Sequence, residues 1–439
     1  MTPSDAPPTA PLLRRRRPRS GVTLDPVHVD TIAYLASAIA DGVDDADHDD
    51  LAGTAWAEWL DPLHDDGRVV LEAVGDHELR RTPVEDAALA DRPFETSHGV
   101  DSGTLNPTSF KNGLVVDVAQ AAMGAEPTDL DLHRARSIVV TVHANDATVV
   151  FPEVPGGWMP YDDGNSERRV LKVPRSRRFA DEMVHELALS LAESHHARKH
   201  LERGEVSDLL VLDGPLYPKR LLNWATRDSE LREVAHGETV REAVRTYVRL
   251  VESCIERGVP VLGFVKNPTS GYVTRTLDRK GVEAPWPDDA ALFTRLLERR
   301  PDGDRADDAI TFTSWLRSRG GSDAALASDG DALGVERTAR PDRYEVTYMH
   351  VYEPREDVLF KVEAPAAFTA DSESRERLTR QVLSEVAAEA GPPTPVAKAD
   401  ELARIGVGET EALRRKFEER FGAEHLRTYD DVRWGDGET

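Results

Sequence analysis

Leu209-Leu210-Val211-Leu212-Asp213-Gly214-Pro215 is the stretch that decides the fold of this chain. An unbroken apolar run of this length predicts a buried β-strand, and Asp-Gly-Pro predicts a sharp turn where that strand ends. The carboxylate of Asp213 is therefore expected at the edge of a sheet. An aspartate in such a turn often has only a structural role. A second segment of the same kind, Gly99-Val100-Asp101-Ser102-Gly103, indicates a functional pair of aspartates instead.

The composition is that of a globular protein with one large or two modest domains. The chain has 439 residues, of which 39% are hydrophobic, and a formal net charge of −25. Only nine of its 55 basic residues are lysines. This preference for arginine, together with the excess of carboxylates, is typical of a halophilic cytoplasmic protein, whose acidic surface stays hydrated in high salt while ions screen the repulsion. The net charge therefore does not exclude DNA as a partner.

Neither the single cysteine nor the N-terminal sequence indicates secretion or a membrane location. Cys254 lies in an apolar helical pattern and is predicted to be a buried core thiol. No apolar run reaches the roughly 18 residues of a membrane-spanning helix. Residues 1–21 are rich in proline and basic residues and lack the apolar segment of a secretory signal. They predict a disordered arm, and a DNA-contacting arm is the alternative.

The order of predicted elements indicates an α/β fold. Three strand-like segments separated by turn residues predict an antiparallel meander, and two further strands that each follow a helix extend it into a mixed sheet. The strand segments are 99–103, 113–123, 137–143, 209–213 and 259–267, and the main helices are 176–203 and 236–257. We expect a helical N-terminal region at 22–95, a main domain at 96–405 with an insertion at about 278–342, and a C-terminal helix and tail at 406–439.

Two aspartates at strand ends suit metal-dependent phosphodiester hydrolysis. Two divalent cations about 4 Å apart can deprotonate the attacking water and stabilise the leaving oxygen when carboxylates bridge them. Asp101 and Asp213 offer hard oxygen ligands for Mn²⁺ or Mg²⁺. A helix glutamate would complete the site, and Glu186 is the first candidate because it lies beside the apolar stripe of helix 176–203. Glu182, one helical turn earlier, is the alternative.

Basic and aromatic residues close to the two buried strands predict DNA contacts. Lys219, Arg220 and Trp224 follow the strand that ends at Asp213, and Lys266 ends the next buried strand. Such side chains can neutralise phosphates and stack on an unpaired base. A solvated basic pair and a core tryptophan are the alternatives.

With these elements in this order, the sequence resembles the NurA family of archaeal DNA-repair nucleases. The resemblance runs from about residue 96 to residue 405. It is carried by Val100-Asp101-Ser102-Gly103, segment 184–189, strand 210–216, Gly263-Phe264-Val265-Lys266, segment 360–365 and segment 395–402. The resemblance implies a ribonuclease H-like mixed sheet flanked by helices, and a ring-shaped homodimer. It also implies Mn²⁺-dependent exonuclease and single-strand endonuclease activity in DNA end resection during double-strand-break repair, with a HerA-type hexameric translocase as partner.

One ligand position departs from the family pattern. Where the family has a metal-binding histidine near the C-terminus, this chain has Asp400. Aspartate also binds Mn²⁺, so the resemblance implies Asp400 as a third metal ligand beside Asp101 and Asp213. The same departure supports a different hypothesis, in which the chain is a catalytically weak or inactive DNA clamp and an adaptor for the translocase. A phosphotransferase is disfavoured because the sequence has no glycine-rich phosphate loop.

Overall fold

The computed structural model describes residues 26–40, 45–145 and 157–427. The expectations for residues 1–21 and for the end of the C-terminal tail concern residues outside these ranges. By its internal contacts the chain divides into two units, residues 1–50 and residues 51–439. In the first unit, helix Pro26–Ala40 exposes large apolar side chains, including those of Tyr34 and Ile39.

The described residues form a mixed α/β structure. Its helices are α1 Pro26–Ala40, α2 Asp45–Trp59, α3 Val84–Ala88, α4 Leu130–Arg134, α5 Ala180–Glu202, α6 Lys219–Arg227, α7 Ser229–Ala235, α8 Glu238–Arg257, α9 Tyr272–Arg279, α10 Asp289–Leu297, α11 Ala366–Thr369, α12 Ser372–Glu389, α13 Thr394–Ala403 and α14 Val407–Phe421. Its strands are β1 Leu63–Asp65, β2 Arg68–Ala73, β3 Leu79–Pro83, β4 Ser97–Thr104, β5 Thr108–Ser109, β6 Leu114–Glu126, β7 Ser137–Ala144, β8 Met159–Pro160, β9 Glu167–Lys172, β10 Leu209–Asp213, β11 Val261–Val265, β12 Ala309–Thr313, β13 Leu316–Ser318, β14 Val346–Glu353 and β15 Val358–Pro365. Short 3-10 helices occupy Gly321–Leu326, Ala332–Gly334 and Pro341–Tyr344.

One mixed sheet organises the second unit. Its strands lie in the order β1-β2-β13-β14-β15-β11-β10-β4-β6-β7-β9-β8, and β3, β5 and β12 pair at its sides. Strands β4, β10 and β11 are parallel neighbours, whereas β6 and β7 extend from β4 in antiparallel pairs. Helix α5 leads into β10, and helix α8 leads into β11. The predicted meander and the two helix-to-strand crossovers are therefore confirmed.

The central strand β10 is buried on both faces. Leu210 and Leu212 belong to the apolar core that includes side chains of α5 and α8. Leu209 and Val211 belong to a second core that includes side chains of α12 and α13. Because successive side chains of a strand point to opposite faces, burial on both faces requires an unbroken apolar run. Burial of β10 on both faces therefore explains why residues 209–212, before Asp213, are all apolar.

The structure differs from the prediction in two regions of the chain. Residues 22–95 are not wholly helical, since β1, β2 and β3 lie within them. Strands β2 and β3 pair with β13 and β12, which belong to the predicted insertion at 278–342. Strands of both regions therefore belong to the main sheet. Among the described helices, none combines the length and the apolar character that crossing a bilayer requires.

Candidate metal centre

Three aspartates from separate elements meet where β4 and β10 run side by side. Asp101 lies in β4, Asp213 ends β10 and Asp400 lies in α13. One carboxylate oxygen from each lies within 4.8 Å of the other two, and all three residues are partly buried. The parallel register pairs Leu212 with Val100, so the next residue of each strand is an aspartate beside the other. The structure thus brings together the three residues that were predicted as metal ligands.

Glycines in β4 allow α13 to lie directly on that strand. A Cβ atom on Gly99 would lie 2.3 Å from the carbonyl oxygen of Pro395, and one on Gly103 would lie 2.3 Å from that of Ala403. Such distances are far inside van der Waals contact, so a side chain at either glycine would push the helix away from the strand. The close approach of α13 brings Asp400 to the position where its carboxylate joins the other two.

Burial, to which neighbouring carboxylates add, raises the pKa of two of the aspartates. Burial raises the pKa of Asp101 to about 8, and the charges of Asp213 and Glu193 add to this rise. Burial also raises the pKa of Asp213, while the hydrogen bond and charge of Lys266 oppose the rise. A divalent cation would relieve this repulsion, and carboxylate oxygens are ligands that Mn²⁺ and Mg²⁺ accept. The donor set of this structure therefore fits such an ion.

Lys266 supplies a positive charge to the same cluster. It follows β11 directly, and its Nζ donates a hydrogen bond of 2.6 Å to Oδ2 of Asp213. Although burial acts to lower it, the pKa of Lys266 is raised by Asp213, Asp101 and Asp400. The sequence pattern predicts Lys266 as a DNA contact. In this structure it pairs with a candidate metal ligand.

A fourth carboxylate, that of Glu193 in α5, is joined to the cluster through a serine. The hydroxyl of Ser102 donates a hydrogen bond of 2.6 Å to Oε1 of Glu193, and the backbone N–H of Ser102 donates one of 2.7 Å to Oδ1 of Asp101. The hydroxyl of Tyr247 donates to the other oxygen of Glu193 at 3.2 Å. Burial raises the pKa of Glu193 to about 7, and the charge of Asp213 contributes to the rise. Glu193 is therefore electrostatically coupled to the aspartates.

Glu186, the glutamate predicted from the sequence, contacts a different group. Its Oε1 accepts a hydrogen bond of 2.7 Å from Arg220, and both residues line an open pocket of about 480 Å³. Glu193 follows Glu186 by about two helical turns, so the two share one face of α5. Their positions on the helix therefore do not distinguish the two glutamates, but only Glu193 accepts a hydrogen bond from Ser102. The structure therefore favours Glu193 over Glu186 as the helix glutamate of the site.

The predicted stacking of Trp224 on a base is contradicted by its burial. The side chain of Trp224 is completely buried, and its Nε1–H donates a hydrogen bond of 2.8 Å to Glu182. Glu182, the alternative helix glutamate, is thus engaged with the core tryptophan and not with the aspartates. Arg220, in contrast, has a side chain that is 74% exposed and stays a candidate for contacting DNA.

Lys219, also predicted to contact DNA, is paired with two carboxylates in the structure. Its Nζ lies 3.0 Å from Asp323 and 2.5 Å from Glu363. Glu363 also pairs with Lys361 at 2.9 Å and accepts a hydrogen bond of 3.2 Å from the backbone N–H of Leu216. Lys219 therefore balances buried carboxylates beneath the turn that follows β10. A basic residue next to a turn is expected at the surface, and only the tertiary structure reveals these partners.

Residues 95–405 match the model of the NurA domain family. No curated protein sequence matches the chain. Three solved structures that are similar to it each share 11% sequence identity. The match to the NurA nuclease from Sulfolobus solfataricus covers 91% of this chain and 98% of that one, with a TM-score of 0.48. The match to NurA with manganese covers 79% of this chain and 93% of that one, with a TM-score of 0.41. The match to NurA bound to dAMP and manganese covers 92% of this chain and 99% of that one, with a TM-score of 0.42. Because the family match spans most of the sequence, the chain belongs to the NurA domain family.

Proposed function

We propose that this chain is a metal-dependent DNA nuclease. The observation that carries the proposal is the meeting of Asp101, Asp213 and Asp400, whose carboxylate oxygens lie within 4.8 Å of one another. Membership of the NurA domain family supports it. One similar structure is that of NurA bound to dAMP and manganese, and Mn²⁺ is accordingly the ion we propose, with Mg²⁺ as the alternative.

The residues of the chain would hold the ion and place the reacting groups. Bound to the three aspartates, Mn²⁺ would supply a Lewis acid for the phosphodiester and acidify a water molecule. Asp101 and Asp213, fixed in neighbouring strands, and Asp400, fixed on α13, would set its position. Burial raises the pKa of Glu193 to about 7, so this carboxylate can take up a proton near neutral pH. The exposed guanidinium of Arg220 is available to a backbone phosphate.

The finer parts of the proposal follow from the family resemblance of the sequence. We propose exonuclease activity together with single-strand endonuclease activity, acting in DNA end resection during double-strand-break repair. A HerA-type hexameric translocase is the proposed partner, and a homodimer in the cytoplasm is the proposed state. A ribonuclease H-like fold belongs to the same proposal. Its support is the strand order β7-β6-β4-β10-β11, with α5 leading into β10.

Cleavage of linear and single-stranded DNA by the purified chain, with Mn²⁺, Mg²⁺ or a chelator, tests the proposal. We expect cleavage with Mn²⁺ and none with chelator. Loss of a residue that only supports a metal ligand costs about 10- to 100-fold, so Asp213→Asn should lower the rate at least about 100-fold. Asp278→Asn, which changes an exposed aspartate of α9, is the matched control and should retain cleavage. A folded wild type that neither binds Mn²⁺ nor cuts DNA would contradict the proposal and favour the clamp or adaptor.

A further inference from the structure

Lys266 places a positive charge next to the three aspartates of the candidate metal centre. Asp213 pairs in register with Phe264, so β11 delivers Lys266 to the end of β10 and to the same face of the sheet. Its Nζ lies 2.6 Å from Oδ2 of Asp213, and its side chain is 29% exposed. The ammonium group is thus held at the cluster by a short contact, on a side chain that is only partly exposed.

The charges indicate what this ammonium group does when no DNA is bound. Metal binding requires deprotonated ligands, and the three aspartates, within 4.8 Å of one another, then carry three negative charges that repel strongly. Lys266 offsets one of them through its pair with Asp213. A single divalent cation offsets the other two, so one such ion together with Lys266 balances the three aspartates. A second divalent cation would add positive charge to a balanced cluster and would compete with Lys266 for Oδ2 of Asp213.

We propose that Lys266 is a built-in cation that keeps Asp213 from binding a second divalent ion until DNA arrives. This inference rests on the proposed nuclease function. A DNA phosphate brings a further negative charge and new acceptor oxygens to the cluster. Because a lysine ammonium sits on a flexible four-carbon stem, it can turn from the carboxylate to that phosphate. Oδ2 of Asp213 then becomes available, and complete metal loading is coupled to substrate binding.

Arg404 offers a matched control for the loss of one positive charge. It pairs with another member of the cluster, Asp400, at 3.3 Å, but its side chain is 68% exposed. Exposed ion pairs contribute little and are screened by salt. Removing the charge of Arg404 leaves the contact between Lys266 and Asp213 in place. The number of bound ions should therefore respond to Lys266 and not to Arg404.

The proposal is tested by titrating the DNA-free full chain with Mn²⁺. Electron paramagnetic resonance measures the free ion, and calorimetry measures the heat of binding. We expect one Mn²⁺ per chain for the wild type and for Arg404→Gln, and two for Lys266→Met. We also expect the wild type to bind two when single-stranded phosphorothioate DNA that resists cleavage is present. Two equally strong sites in the DNA-free wild type, or a single site in Lys266→Met, would overturn the proposal.

Two further measurements keep the test decisive. If Lys266→Met unfolds at a lower temperature than the wild type, the titration is repeated with Lys266→Gln, which has a polar side chain. The comparison of the wild type with and without DNA does not depend on any variant. If no form of the protein binds Mn²⁺, the proposed nuclease function fails, and the role of Lys266 fails with it. If the wild type binds two ions without DNA and still cuts DNA, only the role of Lys266 fails.

Discussion

The hydroxyl of Ser102 donates a hydrogen bond of 2.6 Å to Oε1 of Glu193, which ties α5 to the strand that carries Asp101. Neighbouring residues of a strand point to opposite faces of a sheet. Ser102 accordingly faces α5, while Asp101 faces α13 and meets Asp400 there. The acidic groups of the candidate site therefore come from both faces of the sheet, and β4 joins them.

Glu193→Gln should impair DNA cleavage far more than Glu186→Gln. The glutamine keeps the size of the side chain but cannot take up a proton, and loss of such a group costs about 100-fold or more. Glu186 is the matched control, because it lies on the same face of α5 but pairs with Arg220. Cleavage rates at saturating Mn²⁺, together with DNA affinity, compare the two variants. The opposite ranking would restore Glu186 as the helix glutamate.

The main strands and two of the aspartates could be predicted because local pattern and burial coincide there. Residues 209–212 are apolar because β10 has a core on each side. A carboxylate that ends such a strand stands out against its neighbours, as Asp213 does. Asp101 lies inside β4 and not at its end, between the apolar Val100 and the polar Ser102. These signals are short-range and need no knowledge of the tertiary structure.

Other features could not be predicted because they depend on distant partners. Strand β3 is almost entirely exposed, and it is held by pairing with β12 rather than by an apolar pattern. Glu193 and Glu186 share one helical face, so only the contact with Ser102 separates them. The ammonium of Lys219 is balanced by carboxylates more than 100 residues away in sequence. Contacts between residues so far apart in sequence cannot be predicted from a local motif.

In metal-free protein, Asp101→Asn should raise stability at alkaline pH. Burial and the charges of Asp213 and Glu193 raise the pKa of Asp101 to about 8, whereas an unfolded aspartate titrates near 3.9. The folded state binds the extra proton between these values, so its stability falls as the pH rises from about 4 to about 8. Asparagine avoids this loss, and we expect a gain on the order of 5 kcal/mol at about pH 9 that shrinks near pH 5.

Thermal melting of both proteins in chelator across this pH range measures the effect of Asp101→Asn. Saturating Mn²⁺ should reverse the ranking, because an ion that binds only the folded wild type stabilises it. A stability difference that does not change with pH would show that the carboxyl group of Asp101 titrates normally.

Lys219→Met should destabilise the fold and leave DNA affinity of the folded protein unchanged. The lysine lies between Asp323 and Glu363. Although burial opposes it, Lys219 and Lys361 lower the pKa of Glu363 to about 2. Removing one partner of a buried ion pair costs about 3–5 kcal/mol, which denaturant unfolding can measure. The adjacent Arg220→Met is the control and should weaken DNA binding with little loss of stability. A stable Lys219→Met that loses DNA affinity would restore Lys219 as a DNA contact.

Asp400→Ala should weaken Mn²⁺ binding, because α13 brings this carboxylate within 4.8 Å of those of Asp101 and Asp213. Asp400→His should keep part of the affinity, since imidazole also binds Mn²⁺. Histidine carries no negative charge and titrates near 6.5, so this variant should show an added loss of affinity as the pH falls through about 6.5. Mn²⁺ titrations across pH compare both variants with the wild type. Unchanged Mn²⁺ affinity in Asp400→Ala would leave Asp101, Asp213 and Glu193 as the acidic groups of the site and would reduce the role of Asp400 to its exposed pair with Arg404.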